Sequence, residues 1–124
     1  MSAESTMPQF RPLRPTSQPA VDIVLARIDV PLGRIAEFCR KWGIVEFSLF
    51  GSVLRDDFGP ESDVGVLVTF APGGGYTFET LPDLLDELSA LFGGREVDLV
   101  EKQLITNPFR RHSILTTARV VYAG

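Results

Sequence analysis

The sequence predicts an α+β fold in which a small mixed β-sheet has helices packed on one face. Three short segments rich in β-forming residues, 45–50, 64–70 and 96–101, are separated by turn-rich or helical stretches. The stretch between the second and third segments carries leucines at helical spacing. Such a strand-helix-strand order implies a crossover, so we expect those two strands to lie parallel or to be near neighbours.

Length and composition indicate one folded domain. A chain of 124 residues with 44% hydrophobic content is large enough to bury a real core. We predict a flexible Pro-rich leader over residues 1–19 and the folded domain over residues 20–124. The leader has four prolines and no continuous apolar stretch of the kind that a signal peptide needs. No segment is apolar enough to suggest a membrane span.

Charge and cysteine content restrict the function classes further. Twelve basic and sixteen acidic residues give a net charge of -4 without a long basic run, which disfavours nucleic acid as the main ligand. The single cysteine, Cys39, excludes an internal disulfide framework. We expect it to be a buried structural thiol, and a cytoplasmic location fits. Self-association as a homo-oligomer stays open.

The region before the first strand predicts one clear helix. Residues 21–30 are ambiguous between helix and strand, because their apolar residues satisfy neither period. Pro31 is a good first helical residue, and apolar residues then recur at helical spacing as far as Trp42. Gly43 is the expected C-cap. Trp42 continues the apolar stripe, so we expect core packing for it rather than base stacking.

The later elements follow from similar signals. Residues 71–76 are rich in glycine and lack a basic residue, which indicates a simple connector. Thr80 is a candidate N-cap for the leucine-rich helix. Asn107 and Pro108 read as the cap and first residue of a last helix, and residues 119–122 as a closing strand or extended tail.

Candidate ligand-binding residues follow the first strand directly. Gly51 lets the backbone approach a bound anion, and the Ser52 hydroxyl is suited to donate to phosphate oxygens. Ser52 is equally suited to be an ordinary N-cap. Arg55, one helical turn beyond Ser52, is placed either to neutralise phosphates or to pair with a neighbouring acid.

Two strand acids are the other unusual feature. Asp63 opens the second strand, where the alternation of side chains places Asp63 and Gly65 on the face opposite Val64. Asp98 is embedded in the third strand. A carboxylate flanked by strand hydrophobics is costly to bury unless it meets a cation or several donors. Two such acids in one small domain suggest a metal site.

The order of Gly51-Ser52, Asp63 and Asp98 resembles the DNA polymerase beta nucleotidyltransferase superfamily. Within it, the chain is most similar to the minimal nucleotidyltransferases, the MNT-type antitoxins encoded beside HEPN-domain toxins. The resemblance covers roughly residues 31–122. It implies the nucleotidyltransferase, polymerase beta-like, fold.

The resemblance also implies roles for these residues. In that family the glycine and serine hold the nucleotide triphosphate, two aspartates at alternate positions of one strand bind two Mg²⁺ ions, and a third aspartate completes the site. Gly51 and Ser52 would then bind ATP, with Asp63 and Asp98 as catalytic residues and metal ligands for Mg²⁺. Gly65 stands where the family has its second aspartate.

The implied function is transfer of AMP from ATP to a tyrosine of a HEPN ribonuclease toxin, which neutralises the toxin. Gly65 bears on catalysis, because two-metal phosphoryl chemistry needs anionic ligands that clamp both ions. A single ion could still use Asp63 and Asp98 together with nucleotide phosphates and water. The alternative is a non-catalytic module that binds nucleotide or partner and neutralises the toxin by complex formation.

Overall fold

The computed structural model describes residues 21–124, so the leader predicted for residues 1–19 lies outside the described residues. The helices of the described chain are α1 Val21–Ile28, α2 Leu32–Trp42, α3 Leu81–Leu91 and α4 Pro108–Thr117. Its strands are β1 Ile44–Phe50, β2 Val64–Phe70, β3 Val97–Glu101 and β4 Arg119–Ala123. Two short 3₁₀ turns complete it, Gly51–Leu54 and Lys102–Leu104. The predicted α+β class is confirmed.

The sheet has the order β3-β2-β1-β4. Strand β1 is antiparallel to both β2 and β4, whereas β2 and β3 are parallel, as the predicted crossover through α3 requires. The register pairs Gly65 with Phe50 on one side and with Asp98 on the other. Because directly paired residues share a face, these three positions lie side by side on the same face of the sheet.

The opposite face carries the main core. Alternate strand residues point into it, among them Phe47, Leu49, Val64, Val66 and Val68. Helices α1, α2 and α3 cover this face with their apolar stripes, which include the fully buried Cys39. Burial raises the pKa of the Cys39 thiol to about 12, in keeping with the structural role predicted for it.

The position of helix α4 differs from the prediction that all helices pack on one face of the sheet. Its single buried residue, Ile114, packs with Phe50 and Leu67 in a second, smaller apolar cluster. This cluster is on the Gly65 face, so helices lie on both faces of the sheet and the prediction of one helical face was wrong for α4. The physical reason is that one buried isoleucine leaves too weak an apolar stripe to reveal where a helix packs.

Local details also differ slightly from expectation. The ambiguous stretch 21–30 contains a helix, and Pro31 lies just before α2 in an extended conformation. Gly43 is the predicted C-cap, with a left-handed φ of 70°. The predicted connector packs tightly there, since a Cβ on Gly74 would lie 2.6 Å from the Gly43 carbonyl oxygen. Trp42 is buried, as predicted.

Among residues 21–124, no helix is long and apolar enough to cross a membrane.

Candidate nucleotide-binding site

The glycine turn, residues Gly51–Leu54, joins the end of β1 to the site. Gly51 adopts a left-handed φ of 81°, which glycine tolerates without strain. The Ser52 hydroxyl donates to the backbone carbonyl oxygen of Asp63 over 2.6 Å. Ser52 therefore does not act as the N-cap that was one of its two predicted roles. Its hydroxyl instead ties the glycine turn to the start of β2.

Arg27, on α1, holds the glycine turn in place through hydrogen bonds. Its Nη1 donates to the carbonyl oxygens of Val53 at 3.0 Å and of Arg55 at 2.8 Å. Its Nη2 forms an ion pair with Asp56 at 2.9 Å. The Val53 carbonyl oxygen, at the C-terminal end of the turn, thus gains a donor. The Arg55 carbonyl oxygen, which already accepts a hydrogen bond from the Phe58 N–H, gains a second one. Helix α1 thus fixes the position of the turn.

Arg95, just before β3, holds the segment that leads to Asp63. Its Nη1 donates to the carbonyl oxygens of Gly59 at 2.8 Å and Ser62 at 3.0 Å. Its guanidinium also lies 4.4 Å from the centre of the Phe58 ring, a cation–π distance. The backbone immediately before Asp63 is therefore fixed by side-chain hydrogen bonds.

The two strand acids have different surroundings. Asp63 is exposed, and within residues 21–124 its carboxylate has no hydrogen-bond or ion-pair partner. Asp98 forms an ion pair with Arg110, with Oδ2 3.2 Å from Nη2, and both side chains are about half exposed. The expected cost of burying these carboxylates does not arise, because neither is buried.

Position 65 has no room for a side chain in this arrangement. A Cβ built on Gly65 would lie 2.5 Å from the carbonyl oxygen of Phe50 and 2.8 Å from its ring carbon Cε2. Real Cβ atoms do not come this close to other heavy atoms. The position at which the resemblance implies a second aspartate thus has no carboxylate and is closed by Phe50.

Helix α4 places Arg110 beside Asp98. The predicted cap is present, because Asn107 Oδ1 accepts hydrogen bonds from the backbone N–H groups of Phe109 and Arg110. One turn further on, Ile114 anchors the helix on the second apolar cluster. Arg110 therefore projects from a helix that is fixed at its first turn and in its middle.

A cleft of about 500 Å³ lies between the glycine turn and α4. Its walls combine apolar side chains with two arginines and two hydroxyl groups, contributed by Phe50, Gly51, Leu54, Arg55, Arg110, Ser113, Ile114 and Thr117. A smaller cavity of about 320 Å³ is lined by Asp98 and again by Arg110. An apolar floor with a few convergent cationic and polar groups is the usual make-up of a nucleotide site.

Arg55 pairs with a neighbouring acid, which was one of its two predicted roles. Its Nε lies 3.5 Å from Asp57 Oδ1, an exposed ion pair of the kind that contributes little to stability. Arg55 nevertheless lines the cleft opposite Arg110. Exchanging this weak pair for a phosphate contact would therefore cost little.

The donors do not fit a two-ion metal site. In the part of the chain that the structure describes, no group of three or more His, Cys, Asp or Glu side chains could hold a metal ion. Asp63 and Asp98 have the oxygen donors that Mg²⁺ prefers, but Asp98 is paired with Arg110 and position 65 supplies none. One ion held by Asp63 and nucleotide phosphates fits the donors present.

Sequence reasoning did not find the contacts made by Arg27, Arg95, Arg110 and Phe50. Each comes from outside the motif and reaches it only through the fold. A partial signal existed for Arg110, because it lies three residues after the Asn107 cap and shortly after β3. The side of the sheet on which α4 packs was the missing information.

The fold and the cleft define a small nucleotidyltransferase-type domain. The chain belongs to the nucleotidyltransferase domain family, whose model matches residues 34–121. A protein of Methanocaldococcus jannaschii assigned as a protein adenylyltransferase is 32% identical over 74 residues, which are 60% of this chain and 73% of that protein.

Solved structures show the same fold. A protein assigned as a minimal nucleotidyltransferase is 28% identical, with a TM-score of 0.58 over 79% of this chain and 92% of that one. A toxin–antitoxin complex with AMP-PNP is 18% identical with a TM-score of 0.60, and a mutant of the MntA–HpeT toxin–antitoxin is 16% identical with a TM-score of 0.58. Each of these two matches covers 77% of this chain and 75% of the other; at such identities they show the fold alone.

Proposed function

We propose that this protein is an antitoxin-type subunit that binds ATP in the cleft between the glycine turn and α4 and neutralises a HEPN-type ribonuclease toxin by complex formation. One observation carries the choice of complex formation over catalysis. Asp98 is paired with Arg110 beside a glycine at position 65, so a site that needs several free carboxylates has only Asp63. Two-metal phosphoryl transfer requires more anionic ligands than this.

The lining of the cleft supports a nucleoside triphosphate as ligand. Arg55 and Arg110 line it together, and guanidinium groups bind phosphate oxygens through paired hydrogen bonds. The backbone of Gly51 is exposed to the cleft, and Phe50 and Leu54 provide apolar surface for a base. A structural neighbour solved with AMP-PNP is consistent with this class of ligand.

Magnesium enters the proposal as the companion ion of ATP. Asp63 would hold it together with the nucleotide phosphates, since Mg²⁺ is often bound through one or two carboxylates and substrate oxygens. When bound, the ion would neutralise phosphate charge. Ser52 contributes by holding the Asp63 backbone through its hydroxyl.

The toxin–antitoxin neighbours and the MNT resemblance support a toxin as the proposed class of partner. Exposed apolar side chains occur close to the cleft, where Phe109 is 85% and Leu104 65% exposed. Leu104 lines the smaller cavity beside Asp98 and Arg110. Large exposed apolar residues rimmed by charges are typical of protein contact surfaces, so we propose that the toxin binds at this end of α4.

A second candidate function is AMP transfer from ATP to a toxin tyrosine. The exposure of both strand acids favours it, because Asp63 and Asp98 are accessible to a protein acceptor. In this reaction Asp98 would orient the acceptor hydroxyl and accept its proton as the tyrosine oxygen bonds to the α-phosphate and pyrophosphate leaves. The ion pair with Arg110 would have to open for that to happen.

The test mixes the full chain with a HEPN-type toxin, ATP and Mg²⁺, and measures ribonuclease activity and the intact mass of the toxin. We expect the activity to fall without a gain in mass, and Asp63→Ala to suppress it equally well. The matched control is Asp86→Ala, on the exposed side of α3. An AMP adduct that Asp63→Ala abolishes would establish the second candidate, and an uninhibited toxin would overturn the antitoxin role.

A further inference from the structure

We infer that Arg110 supplies beside Asp98 the positive charge that a second metal ion supplies in a two-ion site, so that the cleft binds a nucleoside triphosphate even when no divalent cation occupies Asp63. The inference rests on the nucleotide part of the proposed function. It assigns to Arg110 a binding role that the nucleotidyltransferase motif does not contain.

The charges around Asp98 favour the guanidinium over a metal ion. The Oδ2 atom of Asp98 lies 3.2 Å from Arg110 Nη2, and its in-register neighbour Gly65 adds no second carboxylate. One carboxylate and one guanidinium form a neutral pair. A divalent cation placed on the same carboxylate would meet the positive charge of Arg110 at close range, and position 65 offers no carboxylate to offset the repulsion.

The position of Arg110 is built into the fold rather than left to a free surface side chain. Asn107 caps the first turn of α4, and Ile114 fixes the helix on Phe50 and Leu67. The next residue, Arg111, serves as an internal comparison. Its Nη1 donates to the carbonyl oxygen of Lys102 over 3.0 Å, and it lines a different cavity.

Arg110 also joins the two cavities of the site. It lines the larger cleft together with Arg55 and the smaller cavity together with Asp98. A phosphate chain in the larger cleft would lie between two guanidinium groups. Free ATP carries more negative charge than its magnesium complex, and the guanidinium groups of Arg55 and Arg110 would offset part of that charge.

The experiment measures binding of a fluorescent ATP analogue to the full chain by anisotropy, in EDTA and in Mg²⁺. For the wild type, we expect dissociation constants that agree within about threefold between the two buffers. We expect Arg110→Gln to weaken binding in EDTA by about tenfold or more, as loss of a charged phosphate contact should. Arg111→Gln is the matched control and should leave binding unchanged within about twofold.

Each other outcome has a definite meaning. Binding that requires Mg²⁺ would overturn the role of Arg110 and leave the proposed nucleotide function in place. Equal weakening by Arg110→Gln and Arg111→Gln would also overturn it, because general electrostatic attraction would then explain the effect. Absence of binding in both buffers would overturn the nucleotide part of the proposed function together with the inference, whereas toxin neutralisation would still be tested separately.

Discussion

At the scale of single residues, Gly65 has no side chain, and its neighbour Phe50 leaves no room for one. The Phe50 carbonyl oxygen, 2.5 Å from where a Cβ would lie, belongs to the backbone of the β1–β2 pair. The Phe50 ring, 2.8 Å away, is buried in the second apolar cluster and has little freedom to turn. Placing an aspartate at position 65 therefore requires β1 to shift as well.

Gly65→Asp should accordingly destabilise the protein. We expect a loss of about 1–3 kcal/mol in the free energy of unfolding, the usual range for overpacking a buried site. Urea denaturation of the variant and of Gly65→Ala measures it. Because the Cβ causes the clash, both variants should lose stability. An unstrained Gly→Ala change gains about 0.4–1 kcal/mol, so a more stable Gly65→Ala would contradict the expectation.

The residues of the site divide into those that sequence can place and those that it cannot. Asp98 could be placed on a strand, because side-chain alternation and turn signals are local properties, whereas Asp63, predicted to open β2, lies immediately before it. Their surroundings could not, because the Asp98–Arg110 pair and the Phe50–Gly65 contact depend on strand register and on the side where α4 packs. Their roles as ligands remain predictions.

At the scale of elements, helices α2 and α3 are joined by one carboxylate. Glu87 of α3 accepts hydrogen bonds from Lys41 Nζ at 2.6 Å and from Trp42 Nε1 at 3.2 Å, both on α2. The Lys41 hydrogen bond is the main cause that lowers the pKa of Glu87 below its usual value of 4.5, and the Trp42 bond adds to it. The link between the helices therefore depends on pH.

The sign of this dependence follows from the lowered pKa. The stabilisation is fully present above the unfolded-state pKa of about 4.5 and is lost as the pH falls through the lower folded-state value. Since Glu87 is more than a third exposed, we expect only about 0.3–1 kcal/mol. Urea midpoints at pH 7 and pH 3 should differ less for Glu87→Gln than for the wild type or the control Glu37→Gln; equal differences in all three proteins would exclude the link.

The elements themselves were predictable to different degrees. The apolar stripes of α2 and α3 are strong and complete, and both helices lie where their periodicity predicts. Helix α4 was predicted from its Asn107 cap, but its side of the sheet was not. A helix that buries only Ile114 carries little sequence information about its contact face.

At the scale of the whole molecule, the two faces of the sheet differ greatly in how much apolar packing they carry. The main core joins three helices to one face, whereas α4 covers the other with a cluster of three buried residues. Elements with few buried apolar contacts open at lower free energy than the core. Because Arg110 projects from α4, one wall of the cleft belongs to the less stable part of the molecule, whereas the glycine turn packs against the main core.

Hydrogen exchange should therefore separate α4 from the sheet. We expect amides of α4 to exchange by local opening, faster than those of β1 and β2. Ile114→Ala removes the anchor, at a cost of about 2–4 kcal/mol, and should raise exchange in α4 far more than in β1. Leu115→Ala, at a partly exposed position on the same helix, is the control. Uniform exchange of α4 and β1 would instead show that the molecule opens as one unit.

Added ATP should slow exchange in α4 and in the glycine turn, because a ligand between them stabilises their contact.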